Sequence, residues 1–201
     1  MVSKKVGILV SGRGSNLQAI IDKIDEGDLP LQIEVVISDI PDVYALERAR
    51  RAGIKTVVVN RKEFADRESF EDKLNEALGQ VDGVVLAGFM RILSEKFINK
   101  WYHKIINIHP ALLPSFVGLH AQRQANDYGV KVAGCTVHFV DAGTDTGPII
   151  LQKVVPAYFE DDEDILAARI LEQEHLALPE ALKLWAEDRL EIVGRKVKIK
   201  L

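Results

Sequence analysis

Two polar residues, Asn107 and His109, stand two positions apart at the end of a short β-branched segment, Lys104-Ile105-Ile106. Residues two apart in a strand point to the same face, so the carboxamide and the imidazole project together while Ile108 points into packing. Because Pro110 cannot donate to a sheet ladder, the strand is expected to end there. A carboxamide beside an imidazole suits a site that handles a proton and a developing oxyanion.

A third polar residue, Asp145, lies in an acid-bearing loop after a predicted strand, Ala133 to Phe139. In open α/β sheets, ligands bind in the crevice at the carboxyl ends of the strands. A single histidine at a strand end is most often a hydrogen-bonded structural residue. Here Asn107, His109 and Asp145 all fall at strand ends or in the loops that follow, and the combination predicts a catalytic site.

A glycine-containing loop, Ser11 to Asn16, lies between an apolar strand, Val6 to Val10, and a helix with apolar residues at three- and four-residue spacing. This order of strand, loop and helix aims backbone N–H groups at a phosphate. The candidate phosphate ligands are Gly12, Gly14, Ser15 and Asn16. Ser15 or Asn16 is also expected to cap the helix, and the alternative for the whole loop is a plain tight turn.

The same loop permits a dinucleotide interpretation, in which Asp39 at the end of the second predicted strand holds a ribose. The fingerprint fails at its third glycine, where Leu17 stands. A single phosphate therefore fits the loop better than a dinucleotide.

Glu174 is the most informative single acid, because it lies on the apolar stripe of a C-terminal helix, four residues after Ile170 and four before Leu178. A carboxylate on that stripe must be paired or must face a cleft, since burying it bare is costly. The alternative is a residue at the edge of the stripe that reaches solvent. Pro179 is expected to break or kink the helix.

The composition is that of an ordinary globular protein of 201 residues with a formal net charge of -4, which argues against non-specific nucleic-acid binding. The one cysteine, Cys135, excludes an internal disulfide, fits a reducing compartment and is expected to be a buried, inert thiol. No apolar run approaches membrane-spanning length and the start lacks a signal-peptide pattern, so a cytoplasmic location is expected. The histidine spacing indicates no metal site.

The succession of predicted strands and helices is repeated βαβ. It predicts an α/β fold, with a single Rossmann-like domain over residues 1–201 and a mostly parallel sheet with helices on both faces. Two alternating segments, 190–193 and 197–200, flank Gly194-Arg195. They predict a C-terminal antiparallel hairpin at the sheet edge.

Several stretches resemble the glycinamide ribonucleotide formyltransferase family of purine synthesis, and the resemblance extends over nearly the whole chain. These stretches are Asn107-Ile108-His109-Pro110-Ala111-Leu112-Leu113-Pro114, Gly118-Leu119-His120, Thr136-Val137-His138-Phe139-Val140 and Asp145-Thr146-Gly147-Pro148. The resemblance implies transfer of a formyl group from 10-formyltetrahydrofolate to the amine of glycinamide ribonucleotide. The amine would attack directly and form a tetrahedral intermediate.

The resemblance also implies a role for each site residue. Asn107, His109 and Asp145 would be catalytic, the N-terminal loop would hold the ribonucleotide phosphate, and Glu174 would hold the ribose. The residues implied to hold the folate co-substrate are Arg67, Met90, Arg91, Ile92, Leu93, Asn107, Val140 and Asp141. A merely solvated face is the alternative for the arginines. The implied partners are these two small molecules, without nucleic acid, membrane or metal, in a monomer or homodimer.

The chain departs from the family at Val117, where the family commonly has proline in Phe-Pro-Gly-Leu-His. Valine is less rigid than proline, so the conformation of this loop is less constrained. The loop after Pro110 must also turn sharply, which makes the Leu113-Pro114 bond a candidate cis peptide.

Three alternative functions remain open. Methionyl-tRNA formyltransferase and formyltetrahydrofolate hydrolase share the Asn-x-His and Asp arrangement, but both normally carry an additional domain. This chain is expected to have no room for one. A non-enzymatic nucleotide-binding module would explain the glycine loop but not Asn107, His109 and Asp145 together.

Overall fold

The structure is a computed structural model that describes residues 3–200. These residues form two compact units, the first extending to Ile106 and the second beginning at Asn107.

The first unit is built on parallel strands. Its strands and α-helices are β1 (Lys4–Val10), α1 (Ser15–Asp25), β2 (Leu31–Ser38), α2 (Tyr44–Arg51), β3 (Thr56–Val58), α3 (Arg67–Leu78), β4 (Gly83–Leu86) and α4 (Glu95–Lys100). Strand β1 pairs in parallel with β2 and β4, and β2 pairs in parallel with β3. Strand β4 and the last five residues of β1 are buried, as expected for parallel strands covered on both faces.

The second unit begins inside strand β5, which crosses the division between the units. Its elements are β5 (Ile105–His109), α5 (Ala121–Tyr128), β6 (Val132–Phe139), β7 (Ile149–Pro156), α6 (Glu163–Ala186), β8 (Leu190–Val193) and β9 (Lys196–Ile199). Strands β6 and β7 are antiparallel, and α6 packs against both. The strand order in the main sheet is β3-β2-β1-β4-β5-β6-β7, and β8 and β9 form a separate two-stranded sheet.

This architecture confirms the predicted α/β fold, with its mostly parallel sheet and its C-terminal antiparallel hairpin. Within residues 3–200 the two strands of the hairpin pair only with each other, and β9 lies against β7, the edge strand of the main sheet. The expectation of a single formyltransferase domain over residues 1–201 stays a prediction.

Helix α6 continues through Pro179 for seven further residues, so of the two expected effects the break is wrong, and the kink stays a prediction. Packing against β6 and β7 stabilises the helix in spite of the missing N–H group. In the described part of the chain, neither α6 nor any other helix is long and apolar enough to cross a membrane.

An ion pair holds the turn between β7 and α6. Arg169 donates through Nη1 and Nη2 to the two carboxylate oxygens of Asp161, at 2.6 and 2.8 Å. The same carboxylate accepts the Tyr158 N–H at 2.7 Å, and its side chain is only 5% exposed. The hydrogen bonds from Arg169 and Tyr158 lower the pKa of Asp161 to about 2.

We expect Arg169→Leu to lower the melting temperature at neutral pH and to return the pKa of Asp161 toward its ordinary value. A carboxylate whose pKa is lowered by folding stabilises the folded state above its unfolded pKa of about 3.9. That contribution is lost as the pH falls through the folded value of about 2. The difference in melting temperature between wild type and variant should therefore shrink between about pH 4 and about pH 2.

The control is Arg123→Leu, which removes an arginine whose pair with Glu163, at 2.7 Å, is more exposed. Exposed pairs contribute little, so this variant should keep a melting temperature close to that of the wild type at each pH. A pH-independent loss in Arg169→Leu would instead assign the effect to packing of the arginine stem.

Candidate active site

The Asp145 carboxylate lies close to two buried histidines of the second unit. Its Oδ2 is 3.4 Å from Nδ1 of His109, and its Oδ1 is 3.8 Å from Nε2 of His138. Oδ2 also accepts the backbone N–H of Gly118 at 2.8 Å. The Asp145 side chain is 13% exposed and that of His109 is 5% exposed, so little water screens the charges.

His109 ends β5 with both ring nitrogens directed at oxygen atoms. Its Nε2 lies 2.8 Å from the backbone carbonyl of Phe116, and because a carbonyl can only accept, Nε2 carries a hydrogen. Its Nδ1 faces the Asp145 carboxylate. A doubly protonated imidazolium satisfies both oxygens, so the geometry suits a positive charge on His109.

His138 on β6 joins Asn107 to this cluster. Its Nδ1 lies 2.9 Å from the carbonyl of Phe139, and its Nε2 lies 3.2 Å from Nδ2 of Asn107. Burial lowers the pKa of His138 and outweighs the opposing effects of the Phe139 carbonyl and the Asp145 charge, while the nearby His109 lowers the pKa by a smaller amount. The structure thus brings together the three residues predicted to be catalytic and adds a fourth.

His138 is not among the site residues predicted from the sequence. The available signal was the pair Thr136 and His138, two polar residues on one face of an apolar strand. Both are almost completely buried, at 0% and 1% exposure, and buried polar groups require partners.

Thr136 fixes the loop that follows β5. Its hydroxyl donates to the carbonyl of Ala111 at 2.7 Å and accepts the N–H of Leu113 at 3.0 Å. Gln152 donates to the carbonyl of Leu113 at 3.0 Å. The Leu113-Pro114 peptide bond is cis, as predicted.

Three non-glycine residues of the adjoining loops have a positive φ: Phe116 at 54°, His120 at 57° and Asp145 at 54°. The left-handed region costs an ordinary residue roughly 1–2 kcal/mol, and such strain persists only where surrounding contacts hold it. The hydrogen bond from Gly118 to Asp145 is one of those contacts. Val117, the departure from the family pattern, lies in the same loop and is exposed.

The N-terminal loop of the first unit requires glycine at position 14. Gly14 has a φ of 72°, and a Cβ there would lie 2.6 Å from Cβ and 2.7 Å from Cα of Ala45. The N–H of Ala45 donates to the carbonyl of Gly12 at 3.1 Å, so α2 packs directly against the loop.

Helix α1 begins at Ser15, and Gly14 is its N-cap residue. The expectation that Ser15 or Asn16 caps the helix is therefore wrong, and no side chain of the described chain does so. A helix that begins on glycine without a side-chain cap suits anion binding, because first-turn N–H groups point along the axis. The interpretation as a phosphate loop is favoured by this geometry and stays a prediction.

Asp39, at the end of β2, already has two partners. Its Oδ1 accepts the Ser11 hydroxyl at 2.5 Å, and its Oδ2 accepts Nε–H of Arg91 at 2.6 Å. The carboxylate is 0% exposed, so it offers no surface to a ribose and the dinucleotide interpretation loses its second element. The Ser11 hydroxyl also accepts the Met90 N–H at 2.9 Å, which ties the loop after β4 to the loop after β1.

The predicted folate residues of the first unit differ in exposure. Met90 and Ile92 are 63% and 71% exposed, while Leu93 is 7% exposed. Exposed apolar side chains next to one another suit contact with a ligand ring. Arg91 is exposed but paired with Asp39. Arg67, at the start of α3, is exposed too, as the solvated-face alternative also requires.

The predicted folate residues of the second unit follow β6. Val140 and Asp141 are both partly exposed. Asp141 accepts the Gly143 N–H at 3.2 Å and the Thr146 hydroxyl at 2.6 Å, and these bonds brace the loop that carries Asp145.

Glu174 lies on α6 and is 6% exposed, so it does not reach solvent as the alternative proposed. Burial raises the pKa of the Cys135 thiol to about 12, and the negative charge of Glu174, on the helix that packs against β6, adds to the shift. Cys135 is 0% exposed, which confirms the expected buried thiol.

We expect Gly14→Ala to destabilise the protein by roughly 1–3 kcal/mol, because alanine meets both a left-handed backbone and the backbone of Ala45. Gly12→Ala is the matched control, since a Cβ at Gly12 meets nothing within 4 Å and the residue has no positive φ. Denaturant unfolding of both variants checks this prediction. Equal stability of the two would show that α2 can shift away from the loop.

The family of the chain follows from its similarity to known proteins. A family model described as formyl transferase matches residues 4–182. Phosphoribosylglycinamide formyltransferase of Escherichia coli (strain K12) is 43% identical over 187 residues, which are 92% of this chain and 88% of that protein. The crystal structure of glycinamide ribonucleotide transformylase 1 from Symbiobacterium toebii superposes with a TM-score of 0.97 at 50% identity, covering 99% of this chain and 95% of that one.

The chain also aligns with a small part of a much longer relative. The trifunctional purine biosynthetic protein adenosine-3 of Drosophila melanogaster is 49% identical over 185 residues, which are 90% of this chain but only 14% of that protein. The chain therefore belongs to the formyl transferase family, among its phosphoribosylglycinamide formyltransferases.

Proposed function

We propose that this chain transfers the formyl group of 10-formyltetrahydrofolate to the amine of glycinamide ribonucleotide, in purine biosynthesis and in the cytoplasm. The observation that carries the proposal is the cluster of Asn107, His109 and Asp145, in which a partly buried carboxylate lies beside an imidazole. This cluster supplies a positive charge, an amide donor and a base, the groups that acyl transfer to an amine requires.

The reaction begins with the neutral substrate amine, whose lone pair forms a bond to the formyl carbon. The carbonyl π electrons move onto the formyl oxygen and give a tetrahedral intermediate with a negative oxygen and a positive nitrogen. The nitrogen then loses a proton, N10 of the folate gains one, and the bond between N10 and the carbon breaks. The products are formylated glycinamide ribonucleotide and tetrahydrofolate.

Asn107 and His109 stabilise the oxyanion in this scheme. Asn107 contributes an N–H of its amide, and His109 contributes its positive charge. Because Nε2–H of His109 donates to the carbonyl of Phe116 at 2.8 Å, the proposal includes an exchange of partner from that carbonyl to the formyl oxygen. The left-handed backbone of Phe116, with φ of 54°, lies where this exchange takes place.

Asp145 has two roles in the proposal. Its negative charge, 3.4 Å from Nδ1 of His109, favours the imidazolium form of that residue. Its carboxylate also relays the proton from the substrate nitrogen toward N10, through water. At 13% exposure the carboxylate retains access to such a water.

The ribonucleotide is proposed to bind through its phosphate and ribose. Gly12, Gly14, Ser15 and Asn16 hold the phosphate, because their loop leads into an uncapped helix N-terminus. Glu174 holds the ribose hydroxyls, since a carboxylate accepts hydrogen bonds from two hydroxyl groups at once.

The folate co-substrate is proposed to contact Met90, Ile92, Leu93 and Val140 through its pterin ring. The polar groups proposed to bind the rest of the cofactor are Arg67, Arg91, Asn107 and Asp141. The support is the exposure of Met90 and Ile92, together with the fixed position of the neighbouring Arg91.

The acceptor is tested directly by competition. Purified protein with 10-formyltetrahydrofolate is offered glycinamide ribonucleotide, initiator methionyl-tRNA and water, and each product is quantified. We expect formylation of the ribonucleotide to predominate. Formylated tRNA, or free formate as the main product, would replace the proposal with one of the two related activities, and no turnover of the folate would favour a binding module.

We expect Asp145→Asn to lower kcat by about 10²–10⁴-fold while leaving both substrate affinities near those of the wild type. Asparagine tolerates the left-handed backbone of this position, and its amide oxygen can still accept the N–H of Gly118. It loses the charge that favours the His109 cation and cannot serve as a base. Steady-state kinetics and calorimetric titration with each substrate separate these effects.

Thr146→Val is the control for a structural role of the loop. It removes the hydrogen bond to Asp141 from the same loop but leaves the Asp145 charge in place. A lowered melting temperature with near-normal kcat in Asp145→Asn, similar to that of the control, would make Asp145 a brace of its loop and remove it from the chemistry.

A further inference from the structure

We infer that His138 is a positioning residue, a neutral imidazole that accepts a hydrogen bond from Asn107 and so fixes which face of that amide meets the formyl oxygen. The inference deepens the proposed function and rests on the role of Asn107 in it. His138 lies outside the residues predicted from the sequence to act in catalysis.

The tautomer of His138 follows from its neighbours. Nδ1 lies 2.9 Å from the carbonyl of Phe139, which can only accept, so Nδ1 carries the hydrogen. In a neutral imidazole the other nitrogen, Nε2, is then an acceptor. The ring is 1% exposed, and burial disfavours a second proton on it.

The tautomer determines the orientation of Asn107. Nε2 of His138 lies 3.2 Å from the Asn107 amide, and an acceptor in that place requires the NH₂ group and not the oxygen. One N–H of the amide is thereby bound to His138, and the second remains the donor for a developing oxyanion. With the amide reversed, its oxygen would face the imidazole lone pair and repel it.

Because Asp145 lies near both histidines, the protonation of His138 also affects the pairing of His109. Its Oδ1 is 3.8 Å from Nε2 of His138, while its Oδ2 is 3.4 Å from Nδ1 of His109. A hydrogen on Nε2 of His138 would turn that ring from the amide to the carboxylate, and it would compete with His109 for the same charge. A neutral His138 thus preserves both the amide orientation and the pairing of Asp145 with His109.

The test compares His138→Leu with His138→Gln in the full chain. Leucine removes the acceptor, whereas the glutamine amide oxygen reaches the place of Nε2; both lose the Nδ1 donor to Phe139. We expect kcat for ribonucleotide formylation to fall about tenfold in His138→Leu, the effect of one lost hydrogen bond, with KM for both substrates little changed. His138→Gln should recover most of the rate.

A double-mutant cycle with Asn107→Ala separates positioning from general destabilisation. Where Asn107 is already absent, His138→Leu should lower kcat by less than twofold. Val137→Ala is the stability control, because it opens a cavity at the neighbouring position of β6, from a side chain that is 0% exposed and carries no polar group. Equal, additive losses in the two backgrounds, or a matching fall of kcat in Val137→Ala, would overturn the inference.

Two further comparisons keep the inference decidable. If His138→Leu does not fold, His138→Asn replaces it, since the shorter amide reaches the place of Nδ1 but not that of Nε2; equal kcat in His138→Asn and His138→Gln would contradict the inference. If the wild type shows no formyl transfer, the proposed function fails. The inference about His138 is then tested by the ¹⁵N spectrum of the Asn107 side chain. Its amide signals must shift more in His138→Leu than in His138→Gln, and equal shifts would contradict the inference.

Discussion

The second unit depends on one constraint, which is that the Asp145 carboxyl group needs hydrogen-bond partners while only 13% of its side chain is exposed. A carboxylate that is this poorly hydrated requires donors or positive charge around it. The Gly118 N–H supplies one hydrogen bond at 2.8 Å, and the His109 imidazole faces the same oxygen. The arrangement of both neighbouring loops follows from meeting this requirement.

This arrangement requires strained backbone conformations in the loops. Phe116, His120 and Asp145 all adopt left-handed backbone conformations without being glycine. Two of them take part in hydrogen bonds of the site: the Asp145 carboxylate accepts the Gly118 N–H, and the Phe116 carbonyl accepts Nε2–H of His109. Thr136 on β6 holds the segment between His109 and these loops. A rigid strand thus positions the imidazole, and strained loops bring the charge to it, which is the pre-organisation that acyl transfer requires.

Strand geometry explains why part of the site could be predicted from the sequence. The spacing of Asn107 and His109 places both side chains on one face, and the glycine loop after β1 has a positive φ at Gly14. Local pattern fixes these features, because they depend on residues one to three positions apart. The resemblance to a known family supplied the substrates and the residue roles, which periodicity alone could not.

The features that were missed depend on partners far away in the chain. His138 contacts Asn107 across 31 residues, and Asp39 is bound by Arg91 across 52 residues. The local sequence shows a histidine within one apolar strand and an aspartate at the end of another strand. It does not show which donors reach these two side chains. Alternation likewise predicts the two strands of the hairpin but not that they form a sheet of their own.

The protonation pattern of the two histidines is the centre of this account, and ¹⁵N NMR of imidazole-labelled protein at neutral pH measures it. The account predicts that His138 has a hydrogen on Nδ1 and a bare Nε2, while His109 has a hydrogen on the Nε2 that faces Phe116. A hydrogen on Nε2 of His138, or a bare Nε2 in His109, would contradict it, because Asn107 would then lose its acceptor or Phe116 its donor.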